Sequence, residues 1–266
     1  MPLRMSLLAL ALSLALPAVA QAANCGNSAN GFQSWKQDFA KYARKKGVKQ
    51  AGLQALAGAS YAHKTISADR NQKSFRYTLD KFLKIRGADT IVALGRKRKA
   101  RNPEFYAALE KRYGVPAGVL LAIHGMETGF GNFMGDSNVI SAITTLAYDC
   151  RRPQFFTPHA LAALKLVDQG ALRPGSIGAR HGELGHTQFL PDNVLKYGVD
   201  GNGDGRVDLT NQTDALASTA NFLKQKGWKK GKGYQPGERN YKVIQDWNAA
   251  SVYQQAIALM AARIDR

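Results

Sequence analysis

The sequence predicts a mainly α-helical protein, α+β at most. Apolar residues recur at three- and four-residue spacing in seven segments, five of those segments stop at a glycine, and the strand signal is weak.

In order, "FQSWKQDFAKYARKKG" places Phe32, Trp35, Phe39 and Tyr42 on one helical face and ends at Gly47. "FRYTLDKFLKIRG" repeats the pattern with Phe75, Leu79, Phe82 and Leu83, and "EFYAALEKRYG" does so again up to Gly114. "VPAGVLLAIHGME" starts with Pro116 in a first-turn position and carries Val119, Leu120 and Ile123. "TPHALAALKLVDQG" and "DALASTANFLKQKG" each close on a glycine, and "ASVYQQAIALMAARI" follows near residue 265. Between them lie the Gly-rich loops "GNFMGDSN", "GSIGARHGELGHTQFLP" and "VDGNGDGRVD". No repeat, low-complexity tract or long linker divides the chain. The 266 residues supply ample material for one large core, and two lobes are possible within it.

Residues 1–22 read as a secretory leader. Arg4 supplies positive charge, Leu7 to Leu16 is a short apolar run, and Ala18-Val19-Ala20 and Ala20-Gln21-Ala22 offer small-x-small cleavage sites. The run is too short to span a bilayer, an uncleaved anchor being the alternative, and no later stretch is long and apolar enough. Export makes a Cys25–Cys150 disulfide the default. Two free thiols remain open. Lipidation of Cys25 meets a poor signal, because Asn24 stands where a small residue is wanted.

The formal charge is +18, from 37 basic and 19 acidic residues. Between Lys36 and Arg101 stand 18 Lys and Arg against 4 Asp and Glu, so most of the excess falls in the first third of the mature chain. Such a surplus favours polyanions. The run Arg96-Lys97-Arg98-Lys99 resembles a nucleic-acid patch, but a solvated helix face is the favoured reading. An exported protein meets an anionic cell wall rather than nucleic acid.

Three stretches carry chemistry. In "GMETGFG", Glu127 stands at the end of an apolar helix, with Gly129 and Gly131 behind it. A carboxyl against apolar surface has a raised pKa and can act as a general acid; a carboxylate that caps a loop is the alternative. "DGNGDGRVDLTN" fits a calcium loop. Asp200, Asn202 and Asp204 take the first, third and fifth positions, Gly205 makes the turn, Arg206 offers its carbonyl and Asp208 takes the ninth. Position twelve is Asn211 instead of glutamate, and Asp214 is the nearest acid beyond it; an Asp/Gly turn without metal is the alternative. "GELGHTQFLP" offers the Gln188 amide to a sugar and Glu183 as a possible second carboxylate, although by itself it reads first as a structural loop. His124, His159, His181 and His186 form no metal-binding set, with His124 read as a packing residue. The absence of H-E-x-x-H and G-x-S-x-G removes support for a zinc protease or serine hydrolase.

Together these pieces resemble the lytic murein transglycosylase B family from about residue 30 onward. "YGVPAGVLLAIHGMETGFGNFMGDSNVISAITTLAYDCRRPQFF" looks like its catalytic region, the stretch from "GELGHTQFLP" to "NFLKQKGW" like its second signature, and "VIQDWNAASVYQQAIALMAARI" like its final helix. The resemblance implies a lysozyme-like helical catalytic core with additional helices and a calcium-binding loop. It implies one catalytic domain over about residues 23–266, with a basic helical part over about 31–113 and the core over about 114–266.

The resemblance also assigns roles. Glu127 matches the catalytic acid, Gln188 a substrate-contacting glutamine, and Arg151 and Arg152 an arginine pair near peptide stems. Asp200, Asn202, Asp204, Arg206, Asp208 and Asp214 match calcium ligands. Family members can carry a serine nine residues before this glutamine; here that position is Ala179, and Ser176 is out of register. The implied reaction cleaves the β-1,4 bond from N-acetylmuramic acid to N-acetylglucosamine without water and closes a 1,6-anhydro ring. The rivals are a lysozyme-like hydrolase, with Glu183 or Asp136 as second carboxylate, and a non-catalytic wall-binding protein. The expected setting is a periplasmic monomer that binds glycan strands and stem peptides, holds no organic cofactor and binds no nucleic acid.

Overall fold

The computed structural model describes residues 24–71 and 77–266. The expected leader over residues 1–22 and Phe75 therefore lie outside the described residues. The described chain forms thirteen α-helices and one two-stranded sheet. The helices are α1 (Phe32–Lys45), α2 (Gln50–Gly58), α3 (His63–Arg70), α4 (Leu79–Arg86), α5 (Ala88–Arg101), α6 (Pro103–Tyr113) and α7 (Ala117–Thr128). After them come α8 (Val139–Tyr148), α9 (Pro153–Asp168), α10 (Pro191–Tyr197), α11 (Gln212–Gln225), α12 (Tyr241–Trp247) and α13 (Ser251–Asp265). None is long and apolar enough to cross a membrane.

Most residues of the expected faces are buried, while Tyr42, Leu79 and Leu83 are half-buried. Phe32, Trp35, Phe39 and Ala43 of α1 are all buried. Thr78, Asn138 and Asn211 cap α4, α8 and α11 by accepting from a backbone N–H two or three residues on. Pro116 is the N-cap of α7, one position earlier than expected.

Two apolar clusters hold the molecule. In one, Phe39 and Trp35 of α1 meet Leu56 of α2, Ile143 of α8 and Leu164 of α9. In the other, α7 is surrounded by residues of α4, α5, α6, α11, α12 and α13. Each cluster draws helices from both sides of residue 113. Every residue of α7 is buried except Glu127, which is half-buried, so this helix is apolar all round rather than on one side. It lies closest to α13, where a Cβ on Gly118 would stand 2.3 Å from the Ala261 carbonyl oxygen; only glycine permits that approach.

The sheet pairs β1 (Ser137–Asn138) with β2 (Ile177–Gly178) antiparallel, Ser137 opposite Gly178. It ties the loop after Glu127 to the loop before Gln188. Cys25 and Cys150 form a disulfide, which closes a separation of 125 residues beside the turn between α8 and α9.

The basic run on α5 is not a simple solvated face. Arg96 donates twice to the Arg263 carbonyl, at 2.9 and 2.6 Å. Arg98 stacks over Phe130 at 4.7 Å, and Lys99 pairs with Asp265 at 2.8 Å. Lys97 stays exposed. Lys36 is buried as well, and its ammonium donates to the carbonyls of Ala57 and Ala59 at the end of α2; burial pulls its pKa down. Part of the early basic surplus is thus structural.

Candidate active site

Glu127 stands in the last turn of α7, which Gly129 ends in a left-handed conformation. Its Oε1 accepts from the Tyr253 hydroxyl at 2.5 Å and from the Trp247 indole N–H at 3.3 Å. Burial pushes the Glu127 carboxyl up to about 7. The bonds from Tyr253 and Trp247 oppose that shift, Glu183 adds to it by charge, and Arg86 opposes it more weakly. Burial followed by the Glu127 charge raises Tyr253 well above its ordinary value, so the phenol stays a donor. Trp247 is fixed by edge contacts with Phe189 at 5.4 Å and Phe222 at 5.2 Å. A carboxyl so held can give up a proton near neutrality, and its anion keeps two hydrogen-bond donors.

The loops beside it are bonded to the helix end. Thr128 Oγ1 donates to the His186 carbonyl at 2.7 Å and accepts from Gly131 N–H at 2.9 Å. Gly131 has φ +88°, and a Cβ there would strike the His186 ring at 2.2 Å. His124 and His186 meet through Nε2 and Nδ1 at 3.0 Å. Burial holds both rings down, His124 to about 3, so they are a neutral packing pair. Among the described residues only Phe130 and Gln188 combine a side chain with positive φ, at 65° and 55°; one lies in the loop that follows Glu127 and the other in the 182–191 loop, and backbone strain of this kind collects at functional sites. The Gln188 amide donates to the Gly185 carbonyl at 2.8 Å and to the Met134 carbonyl at 3.3 Å. The hairpin Leu184–Phe189 closes beneath it.

Arg151 and Arg152 are brought together on Asp69, a residue of α3 that is only 2% exposed and accepts from both guanidinium groups. Burial alone would raise Asp69, but the two arginines outweigh it and hold the carboxyl below its usual range. His181 continues the line, with Nε2 3.8 Å from Asp69 and Nδ1 3.5 Å from Glu183. Glu183 makes no hydrogen bond to Glu127, but its charge adds to the upward shift of the Glu127 carboxyl. Asp136 is turned to Arg180 at 3.9 Å. Ser176 does not stand in for the hydroxyl absent at Ala179, because its Oγ accepts from Arg173 N–H at 2.9 Å within its own turn.

The 200–211 loop is an oxygen-rich turn. Asp200 accepts from the N–H groups of Gly203, Asp204 and Gly205. Asn202 donates to Asp204 at 2.9 Å, Asp204 accepts from Arg206 N–H, and Asp208 accepts from Thr210. These donors suit a hard cation. Asp214, fully buried, has both oxygens on loop N–H groups of Gly201, Asn202 and Asp208, so it braces the loop from behind. No three His, Cys, Asp or Glu side chains gather as a metal cluster among the described residues.

Sequence reasoning missed Tyr253, Trp247 and Asp69. The first two stand in the stretch quoted for the final helix, but nothing local links them to Glu127.

The comparisons with known proteins bear on the family and the fold. Membrane-bound lytic murein transglycosylase B of Escherichia coli is 35% identical over 121 residues, which span 45% of this chain and 34% of that relative. SltB3 of Pseudomonas aeruginosa, solved in complex with NAG-anhNAM-pentapeptide, is 29% identical with a TM-score of 0.80, over 89% of this chain and 80% of that one. Slt35 of Escherichia coli, at 21% identity and a TM-score of 0.77 over 92% and 96% of the two chains, shares the fold. The transglycosylase SLT domain matches residues 31–237, most of the length, and the chain belongs to that family.

Proposed function

We propose that the protein is a peptidoglycan lytic transglycosylase, cleaving the β-1,4 bond between N-acetylmuramic acid and N-acetylglucosamine. The observation that carries this is the single carboxyl of Glu127, raised to about 7 and held by two donors with no second carboxylate in hydrogen-bond contact. Glu127 gives its proton to the leaving oxygen of N-acetylglucosamine. The substrate's acetamido group stabilises the developing cation. Glu127, now a carboxylate kept in place by Tyr253 and Trp247, takes the proton of the muramic 6-hydroxyl, which closes the 1,6-anhydro ring. Intramolecular attack brings a large effective molarity and needs no activated water.

Gln188 and Glu183 line the glycan side in this reading, and Arg151 and Arg152 receive the carboxylates of stem peptides. Residues 23–266 act as one catalytic unit, exported by the leader to the periplasm and acting as a monomer. Calcium fills the 200–211 turn in a structural role, through the oxygens of Asp200, Asn202, Asp204 and Asp208 and the Arg206 carbonyl. What supports calcium is the ligand spacing and the fold shared with Slt35, which is solved in complex with calcium. With Asp214 bracing the turn by hydrogen bonds, its part in that site is indirect.

Mass spectrometry of products from purified peptidoglycan tests the reaction. The mature protein should release anhydro-muramyl ends, about 18 Da lighter than hydrolysed ends for want of one water, and Glu127→Gln should release none. Reducing muramyl ends would make the protein a muramidase with Glu183 as second carboxylate. No products from folded protein would leave wall binding as its role.

A further inference from the structure

The α5 run that looks most like a polyanion patch is largely taken up by intramolecular contacts; in a second basic surface Arg112 lies over the Tyr113 ring at 5.3 Å and Lys226 over Phe222 at 5.5 Å, while Lys111, Lys229, Lys230 and Lys232 are exposed. The end of α6 and the end of α11 come together where Lys224 Nζ donates to the Arg112 carbonyl at 3.0 Å and the Trp228 indole donates to the Gly114 carbonyl at 2.9 Å. Lys111 and Arg112 are exposed on one side of this seam, and Lys226, Lys229, Lys230 and Lys232 on the other. Among the described residues none of these cations is in an ion pair. The acids at its edges are Glu110 and Glu238, and Glu238 is occupied by the Gln235 N–H at 2.6 Å.

The seam lies just before the first turn of α7, whereas Glu127 lies in the last. A helix of 12 residues separates them by about 18 Å, so these cations stand too far from Glu127 to touch the bond being cut. Most are lysines, point charges on flexible stems that suit an irregular array of anions better than one fixed planar group.

We propose that this surface is a second attachment site for peptidoglycan, binding stem-peptide carboxylates of a strand other than the one in the Glu127 cleft. It rests on the proposed function, and holding two strands of one network raises residence without any new contact in the cleft.

The test is cosedimentation with intact sacculi as salt is raised, in a Glu127→Gln background that prevents digestion. The variant K111Q/R112Q/K229Q/K230Q/K232Q should bind about ten-fold more weakly at low salt, with a flatter salt dependence. The same five positions as arginine, Arg112 retained, should restore binding. The loop-only variant K229Q/K230Q/K232Q, which alters no helix, should show an intermediate loss. With Glu127 intact, the neutralised protein should turn over short soluble glycan-peptide fragments at the parental rate. Unchanged sacculus binding by the neutralised variants would overturn the proposal. So would loss of binding to phosphatidylglycerol vesicles alone, which would make the surface membrane-facing. Absence of anhydro products from the parent would instead strike the reading of the cleft, whatever the basic surface binds.

Discussion

Tyr253 donates its hydroxyl to Oε1 of Glu127 across 2.5 Å, from a helix 126 residues further along the chain. The bond favours the carboxylate and so works against the upward shift that burial imposes. Tyr253→Phe should therefore raise the Glu127 pKa above about 7 and move the alkaline limb of the pH–rate profile upward. The charge-assisted bond should cost about 10–100-fold in rate when lost. An unmoved alkaline limb would remove Tyr253 from this role.

Glu127→Gln should stabilise the protein at neutral pH while ending turnover. The folded carboxyl keeps its proton up to about 7, whereas the unfolded one releases it near 4.5. Between those values the folded state binds more protons, so parental stability falls as pH rises through the window. The variant does not titrate there. It should be more stable by about 1–3 kcal/mol at pH 8, with the gap closing towards pH 4.5. Urea melts at three pH values check this, and a gap that ignores pH would mean an ordinary carboxylate.

Asp69→Ala should loosen the two arginines. It leaves them without their shared acceptor, but both are about two-fifths exposed and water can reach them. The expected loss is about 1–3 kcal/mol, short of that for an ion pair buried on both sides. Because the Asp69 pKa is held down, its contribution is present above the ordinary carboxylate range and lost as pH falls through the lowered value. KM should rise for substrates that carry stem peptides and stay near parental for bare glycan; an equal rise for both would contradict the assignment of the arginines.

The disulfide closes a separation of 125 residues, which the chain-entropy argument converts to about 4–5 kcal/mol. Cys25→Ser with Cys150→Ser should lower the melting temperature to match, and reductant should then have no further effect. A variant that melts with the oxidised parent would show that the link contributes nothing.

Calcium at 100 times its dissociation constant should add about 2.7 kcal/mol to the folding free energy. Asp200→Ala should abolish that gain, and a chelator should reverse it in the parent. Melting that is indifferent to calcium would remove the ion from the 200–211 turn.

Much of the helical frame was legible because its apolar faces are periodic and its ends are marked, as at Phe32–Phe39 and Gly114. The helix α8 was not, since Val139 to Tyr148 is buried without a polar face and rich in β-branched residues. The short α2, α3, α10 and α12 hold at most nine residues, too few turns for a period to emerge. Glu127 could be singled out because its neighbours in sequence are also its neighbours in space. Its donors and the Asp69 clamp could not, because they arrive from 120, 126 and about 80 residues away. The Arg96–Lys99 run misled for the same reason: Arg263 and Asp265, more than 160 residues further along, engage Arg96 and Lys99.

The contact of α7 with α13 has a consequence for the order in which the site comes into being. Glu127 is synthesised well before Trp247 and Tyr253, and Gly118 is seated on Ala261 and Asp265. A growing chain that has emerged only as far as residue 246 holds the acid without either donor and α7 without α13. In the proposed enzyme the acid therefore gains its donors only once α12 and α13 have been made, and a proteolytic fragment that keeps "GMETGFG" but lacks α13 should show no turnover.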